Sequence, residues 1–130
     1  MSNRNANIIM GGVTLTIALR PTPTADALWA AMPFDADAQT WGDEVYFQAP
    51  TSSAAEGDAT DLIEPGEMAF WLAGSCIAIG FGRTPASHGD EIRLASAANI
   101  WADAVTSDWP ETVRALRTVR GGDSVRVEQA

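Results

Sequence analysis

The chain has no lysine. Its eight cations are all arginines, set against 17 acidic residues, and the formal net charge is −9. A surface of that sign repels phosphate backbones, so nucleic acid is not an expected partner. Cysteine is nearly absent: Cys76 stands alone among 130 residues, which excludes an internal disulfide and a cysteine-rich metal site. Cys76 lies mid-strand between Ser75 and Ile77, where a thiol is buried and inert. Histidine is single too. His88 has Asp90 and Glu91 beside it but no second histidine at ligand spacing, and no Ser-His-Asp or Cys-His set can be built around it. No apolar run reaches membrane-spanning length, and the polar start from Met1 to Asn7 lacks the apolar stretch of a secretory signal. The expectation is a soluble, cytoplasmic protein with no membrane partner, no metal, no cofactor and no assignable catalytic residue.

What is present is alternation. With 46% hydrophobic and 19% charged residues, the chain is apolar enough to fold, and 130 residues suit a single domain over 1–130. Asn7 to Met10, Gly11-Gly12 and Val13 to Leu19 read as a β-hairpin. Asp43 to Ala49 sets Val45, Phe47 and Ala49 against Glu44, Tyr46 and Gln48. Glu67 to Leu72 sets Met68, Phe70 and Leu72 against Ala69 and Trp71. Ser75 to Gly82 divides by size, with Ile77, Ile79 and Phe81 opposite Cys76, Ala78 and Gly80. Its small face lets another element approach closely or leaves a hollow. Ile92 to Ala95 reads as a short extended piece, Ala98 to Val105 as a strand, and Val125 with Val127 as a last strand. Two helices interrupt the strands. One is capped by Thr24 and runs to Met32, with Ala25, Leu28, Trp29 and Met32 in one stripe. The other starts at the capping box Asp108 to Glu111 and runs to Val119. Phe34 to Thr40 reads as a connector and Thr51 to Glu64 as an irregular surface loop. Docked helices among seven or eight short strands predict a barrel plugged at its ends.

The runs Thr40-Trp41-Gly42-Asp43-Glu44-Val45-Tyr46-Phe47, Glu64-Pro65-Gly66-Glu67, Phe70-Trp71, Gly80-Phe81-Gly82-Arg83-Thr84-Pro85 and Ala95-Ser96-Ala97-Ala98-Asn99 together resemble the small prokaryotic cyclophilin-like proteins. That resemblance implies a mostly β fold: a closed, eight-stranded antiparallel β-barrel with two short capping helices. Cyclophilins proper isomerise X-Pro bonds with an arginine supplied by a Phe-His-Arg signature, and this chain lacks the signature. The resemblance brings no established reaction with it.

The chemistry-bearing candidates sit within those runs. Trp41, Tyr46, Trp71 and Phe81 could line a barrel mouth that holds a flat ligand or a proline ring. Glu44 faces away from Val45 and Phe47, toward a ligand if partly buried or toward water on the barrel exterior. Arg83 could fork onto a ligand carboxylate or pair with a surface acid. Asn99 is an amide in an apolar run, which must bond either a loop backbone or a ligand. The leading reading is a binding protein for a small molecule or a proline-containing peptide segment. Two alternatives stand beside it: a divergent prolyl isomerase using Arg83, and a self-associating protein that presents Trp101 and Trp109 to a second copy.

Overall fold

Strand alternation becomes one antiparallel sheet in the computed structural model, which describes residues 4–130; Met1 to Asn3 of the polar start lie outside the described residues. The hairpin forms as β1 (Asn5–Met10) and β2 (Val13–Leu19). Ala6, Ile8 and Met10 on β1 and Leu15, Ile17 and Leu19 on β2 are all buried on one face. Helix α1 (Pro23–Ala31) follows. Its cap is Thr22, not Thr24: the Thr22 hydroxyl accepts from the Ala25 N–H at 3.1 Å, with Pro23 in the first turn. Thr24 is buried and bonded elsewhere.

The expected connector Phe34 to Thr40 instead forms two short strands, β3 (Phe34–Asp37) and β4 (Gln39–Thr40). Next come β5 (Glu44–Gln48), β6 (Thr60–Ile63), β7 (Glu67–Trp71) and β8 (Cys76–Gly80). β6 lies inside the stretch read as loop; its partner is distant in sequence, so local pattern did not betray it. The two pieces read at Ile92 to Ala95 and from Ala98 onward are a single strand, β9 (Ile92–Ala104). Helix α2 (Trp109–Leu116) begins on Asp108, whose side chain accepts from the Glu111 N–H, but it ends at Leu116, short of Val119. β10 (Ser124–Gln129) closes the chain.

The strand order is β3-β10-β1-β2-β9-β7-β8-β5-β4, with β6 paired to β9 off this path. β3 and β5 lie beside each other across the seam without a shared ladder. The result is a nearly closed antiparallel barrel of nine strands, one more than the eight expected: the short β3 and β4 both join the sheet, and the two pieces read from Ile92 onward merge into β9. Phe47, Phe70, Ile77, Ile79 and Trp101 fill its interior together with Leu28 of α1 and Leu116 of α2. Burial of that apolar area is the main force holding the fold.

A second, smaller apolar cluster lies on the other face of the same strands. It joins Ile63, Ala69, Ala78, Ile92, Leu94, Ala98 and Ile100. Gly80 permits it: a β-carbon there would run into Ile92 and the end of Ile63. The small face of β8 therefore admits β6 and the first half of β9 onto the outside of the barrel. That outer cover creates the site described next.

Candidate functional site

On β5 the side chains alternate. Val45 and Phe47 enter the barrel interior, and Glu44 and Tyr46 point outward. On β7 Met68 and Phe70 go in and Trp71 stays out. On β8 Ala78 occupies the outer face between them, since it pairs with Tyr46 on one side and Ala69 on the other. β9 pairs with β6 at Leu62↔Arg93 and again at Thr60↔Ala98, with a register slip between. Residues 94–97 therefore bulge from the ladder, and the bulge overhangs the outer face of β8. Trp41, Glu44, Tyr46, Trp71, Ala78, Leu94 and Ala95 enclose a cavity of about 280 Å³.

Local structure fixes the Trp41 backbone and the Trp71 ring. Gly42 has φ +61°, and a β-carbon there would sit 2.8 Å from the Arg83 carbonyl oxygen. Only glycine lets the turn before β5 pack so close, with the Asp43 N–H donating to that carbonyl at 2.8 Å and the Trp41 N–H donating to the Glu44 carbonyl at 3.0 Å. Trp71 donates its indole N–H to the Ser96 hydroxyl in the β9 bulge at 2.5 Å. Gly74, in the turn after β7, leaves room for the Trp71 ring, which a β-carbon would strike.

Glu44 is the chemical centre of the cavity. It lies on the outer face, yet it is only 6% exposed, because the bulge and the aromatic rings cover it. Among the described residues its Oε1 is fully shielded and has no hydrogen-bond partner. Burial without a counter-charge pushes its carboxyl up to about 7. The charge it carries when ionised also helps push the nearby Cys76 thiol upward, after the burial of that thiol itself. An unpaired buried carboxyl is costly, and folded proteins rarely keep one without a use.

The other sequence candidates lie elsewhere. Phe81 is buried in the barrel interior, so it packs the core and does not line this cavity. Arg83 is exposed and donates to the Gly89 carbonyl at 2.6 Å, tying its own loop together. Asn99 is fully buried and fully used: it donates to the Thr24 hydroxyl and the Ala54 carbonyl and accepts from the Glu56 N–H. Trp101 is completely buried in the core and offers no surface for association; Trp109 is partly buried against the same core. Sequence reasoning missed Ala78, Leu94 and Ala95 as wall residues and Ser96 as the anchor of Trp71. The small face of β8 was the one signal for a hollow, and the β9 bulge left none.

A larger cleft of about 600 Å³ follows the open seam, bordered by Asp35, Asp37, Gln39 and Gln48. One of its acids, Asp35, already pairs with Arg126 at 3.1 Å. Among the described residues no group of three His, Cys, Asp or Glu is placed to hold a metal ion. Among them, too, no helix is long and apolar enough to cross a membrane.

The fold meets a known class. The cyclophilin-like family model matches residues 4–128, and the chain belongs to that family. A hypothetical protein from Archaeoglobus fulgidus, solved in solution, is 32% identical, with a TM-score of 0.80 over 98% of this chain and 95% of that one. McbB, solved in complex with tryptophan, shares the fold at a TM-score of 0.68 and 17% identity, across 95% of this chain and 44% of McbB. No protein of curated function matches the sequence.

Proposed function

We propose that this protein binds a small, flat organic molecule in the outer-face cavity between β5, β7 and the β9 bulge. The observation that carries the reading is the unpaired, shielded carboxyl of Glu44 amid Trp41, Tyr46 and Trp71. Aromatic walls supply apolar enclosure, and one polar group fixes orientation, the usual division of labour in a ligand pocket. A volume of about 280 Å³ suits a one- or two-ring molecule and is too small for a dinucleotide or a long peptide. McbB, similar in fold, is solved with tryptophan, a molecule of that size class. A proline-containing segment could present one ring to the same walls. Arg83, the electrophile of the isomerase alternative, bonds the Gly89 carbonyl in its own loop and is not among the residues lining the cavity, which favours the binding reading.

Trp71→Ala tests the reading. Calorimetric titration with a panel of one- and two-ring aromatic compounds should find binders of the unaltered protein that weaken at least about tenfold in the variant. Circular dichroism should show the β fold retained, because Trp71 faces outward. Identical binding by both proteins would sink the assignment of this cavity.

A further inference from the structure

Glu44 narrows the chemistry of that ligand further. We propose that the molecule is an organic cation, a flat ring bearing a protonated amine whose N–H donates to Glu44 while the ring lies among Trp41, Tyr46 and Trp71. The inference rests on the cavity being a binding site at all, as argued above.

Three observations point the same way. The Oε1 atom of Glu44 needs a donor, and among the described residues none reaches it. The cavity wall contains no cation: its other members are Trp41, Tyr46, Trp71, Ala78, Leu94 and Ala95. Asp43, next in the chain, already has Arg117 at 3.3 Å. When Glu44 is ionised, the fold offers it no positive partner in the cavity wall, and a cationic ligand would supply one. Aromatic faces attract cations through their negative π-clouds, so the same rings that hold a flat group also favour its ammonium. An anionic ligand would meet the carboxylate and a chain of net charge −9, which repel it at short and long range. A neutral hydroxyl or amide could donate to the Glu44 carboxyl but would leave its ionised form without a counter-charge.

The titratable groups facing Glu44 are few. Tyr46 shares its strand and Cys76 lies on β8; β7 contributes Trp71 and β9 contributes Leu94 and Ala95, none of which titrates. Binding of a cation should thus depend on the ionisation of Glu44 itself. Burial holds that carboxyl near 7, so the bound amine gains its counter-ion above that pH and loses it below.

The test compares 2-naphthylmethylamine, 2-naphthylmethanol and 2-naphthoate by titration calorimetry at pH 8. One ring system then carries a cation, a neutral donor and an anion. The amine should bind at least about tenfold tighter than the alcohol, with naphthoate weakest. Glu44→Gln should bring the amine down to the affinity of the alcohol. Lowering the pH to 5.5 on the unaltered protein should weaken the amine by a similar factor and leave the alcohol unchanged, which keeps the test valid if the variant folds poorly. Equal or tighter binding of the alcohol would overturn the cation, and a preference for the amine that survives both changes would overturn its pairing with Glu44; either leaves the cavity assignment standing. Binding of none of the three would remove the cavity assignment and the cation together.

Discussion

Two buried polar residues, Asn99 and Glu44, sit on neighbouring parts of one barrel and live by opposite rules. Asn99 uses its amide in three directions: to the Thr24 hydroxyl at 2.9 Å, to the Ala54 carbonyl at 2.8 Å and from the Glu56 N–H at 2.9 Å. The Glu56 carboxylate closes the circuit by accepting from the Thr24 N–H and hydroxyl. Helix α1, the stretch ahead of β6 and strand β9 are thereby pinned to one point. Glu44 has no such company: the residue lines an aromatic cavity, and its shielded Oε1 has no partner among the described residues. A satisfied buried network specifies structure, whereas an unsatisfied group calls for an explanation. The Trp101 indole N–H is also buried without a partner, but it lies in the barrel core; Glu44 differs because it lines a cavity that a ligand could enter.

The largest expected effect falls on the satisfied residue. Asn99→Ala would strand the Glu56 N–H, leave the Ala54 carbonyl with only the Ser53 hydroxyl as donor, and open a small void. We expect a loss of about 3 kcal/mol in urea unfolding, since each orphaned buried group costs about 1–3 kcal/mol. Ligand binding at the Glu44 cavity should survive in whatever fraction remains folded. A stability unchanged within error, or a cavity that fails while stability holds, would break the contrast.

Glu44 should show the reverse, a gain. Its folded carboxyl is raised to about 7 from an ordinary 4.5. The folded state therefore holds the proton more tightly than the unfolded one. That contribution is fully present below about pH 4.5 and is lost as pH rises through about 7. Glu44→Gln removes the ionisation. The variant should match the unaltered protein near pH 4 and exceed it by about 2 kcal/mol at pH 8, a figure reduced for solvent screening through the cavity mouth. Chemical denaturation at both pH values checks it; a variant less stable at pH 8 would show that Glu44 has a partner in the folded chain.

Much of this contrast was open to inspection before the fold was known, and part was not. Alternation over Val45, Phe47, Met68, Phe70, Ile77 and Ile79 defined the inward face, because a period of two leaves no other arrangement once one side is covered. The resemblance to the cyclophilin-like proteins, and not alternation, grouped Trp41, Glu44, Tyr46 and Trp71 as candidates for one site. The cavity itself depends on the slip between Leu62↔Arg93 and Thr60↔Ala98, a register between segments some 30 residues apart in sequence. Local pattern does not encode such a pairing. For the same reason β6 looked like loop, and Phe81 looked like a wall of the site when it fills the barrel. Asn99 offered an amide in an apolar run, but whether its partners were a loop or a ligand turned on where residues 54–56 lie, again a long-range matter.

Arg83 should give the smallest effect. Its sequence position, beside Thr84-Pro85 at the end of a strand, invited a role in binding a ligand. In the fold its guanidinium is exposed and holds the Gly89 carbonyl, while the loop has independent anchors: Thr84 bonds Ser87 and the Arg93 carbonyl, and Glu91 grips both the His88 N–H and Arg93. Those paired groups hold the Glu91 carboxyl down to about 2, with the Arg93 guanidinium the larger cause. With so many ties remaining, Arg83→Ala should shift stability by no more than about 0.5 kcal/mol, the usual range for a surface side chain. Its affinity for 2-naphthylmethylamine should equal that of the unaltered protein in the same calorimetric titration. A marked loss of affinity would mean that the Arg83 loop reaches the cavity when ligand is bound, and the site would then extend from the β9 bulge across to the end of β8.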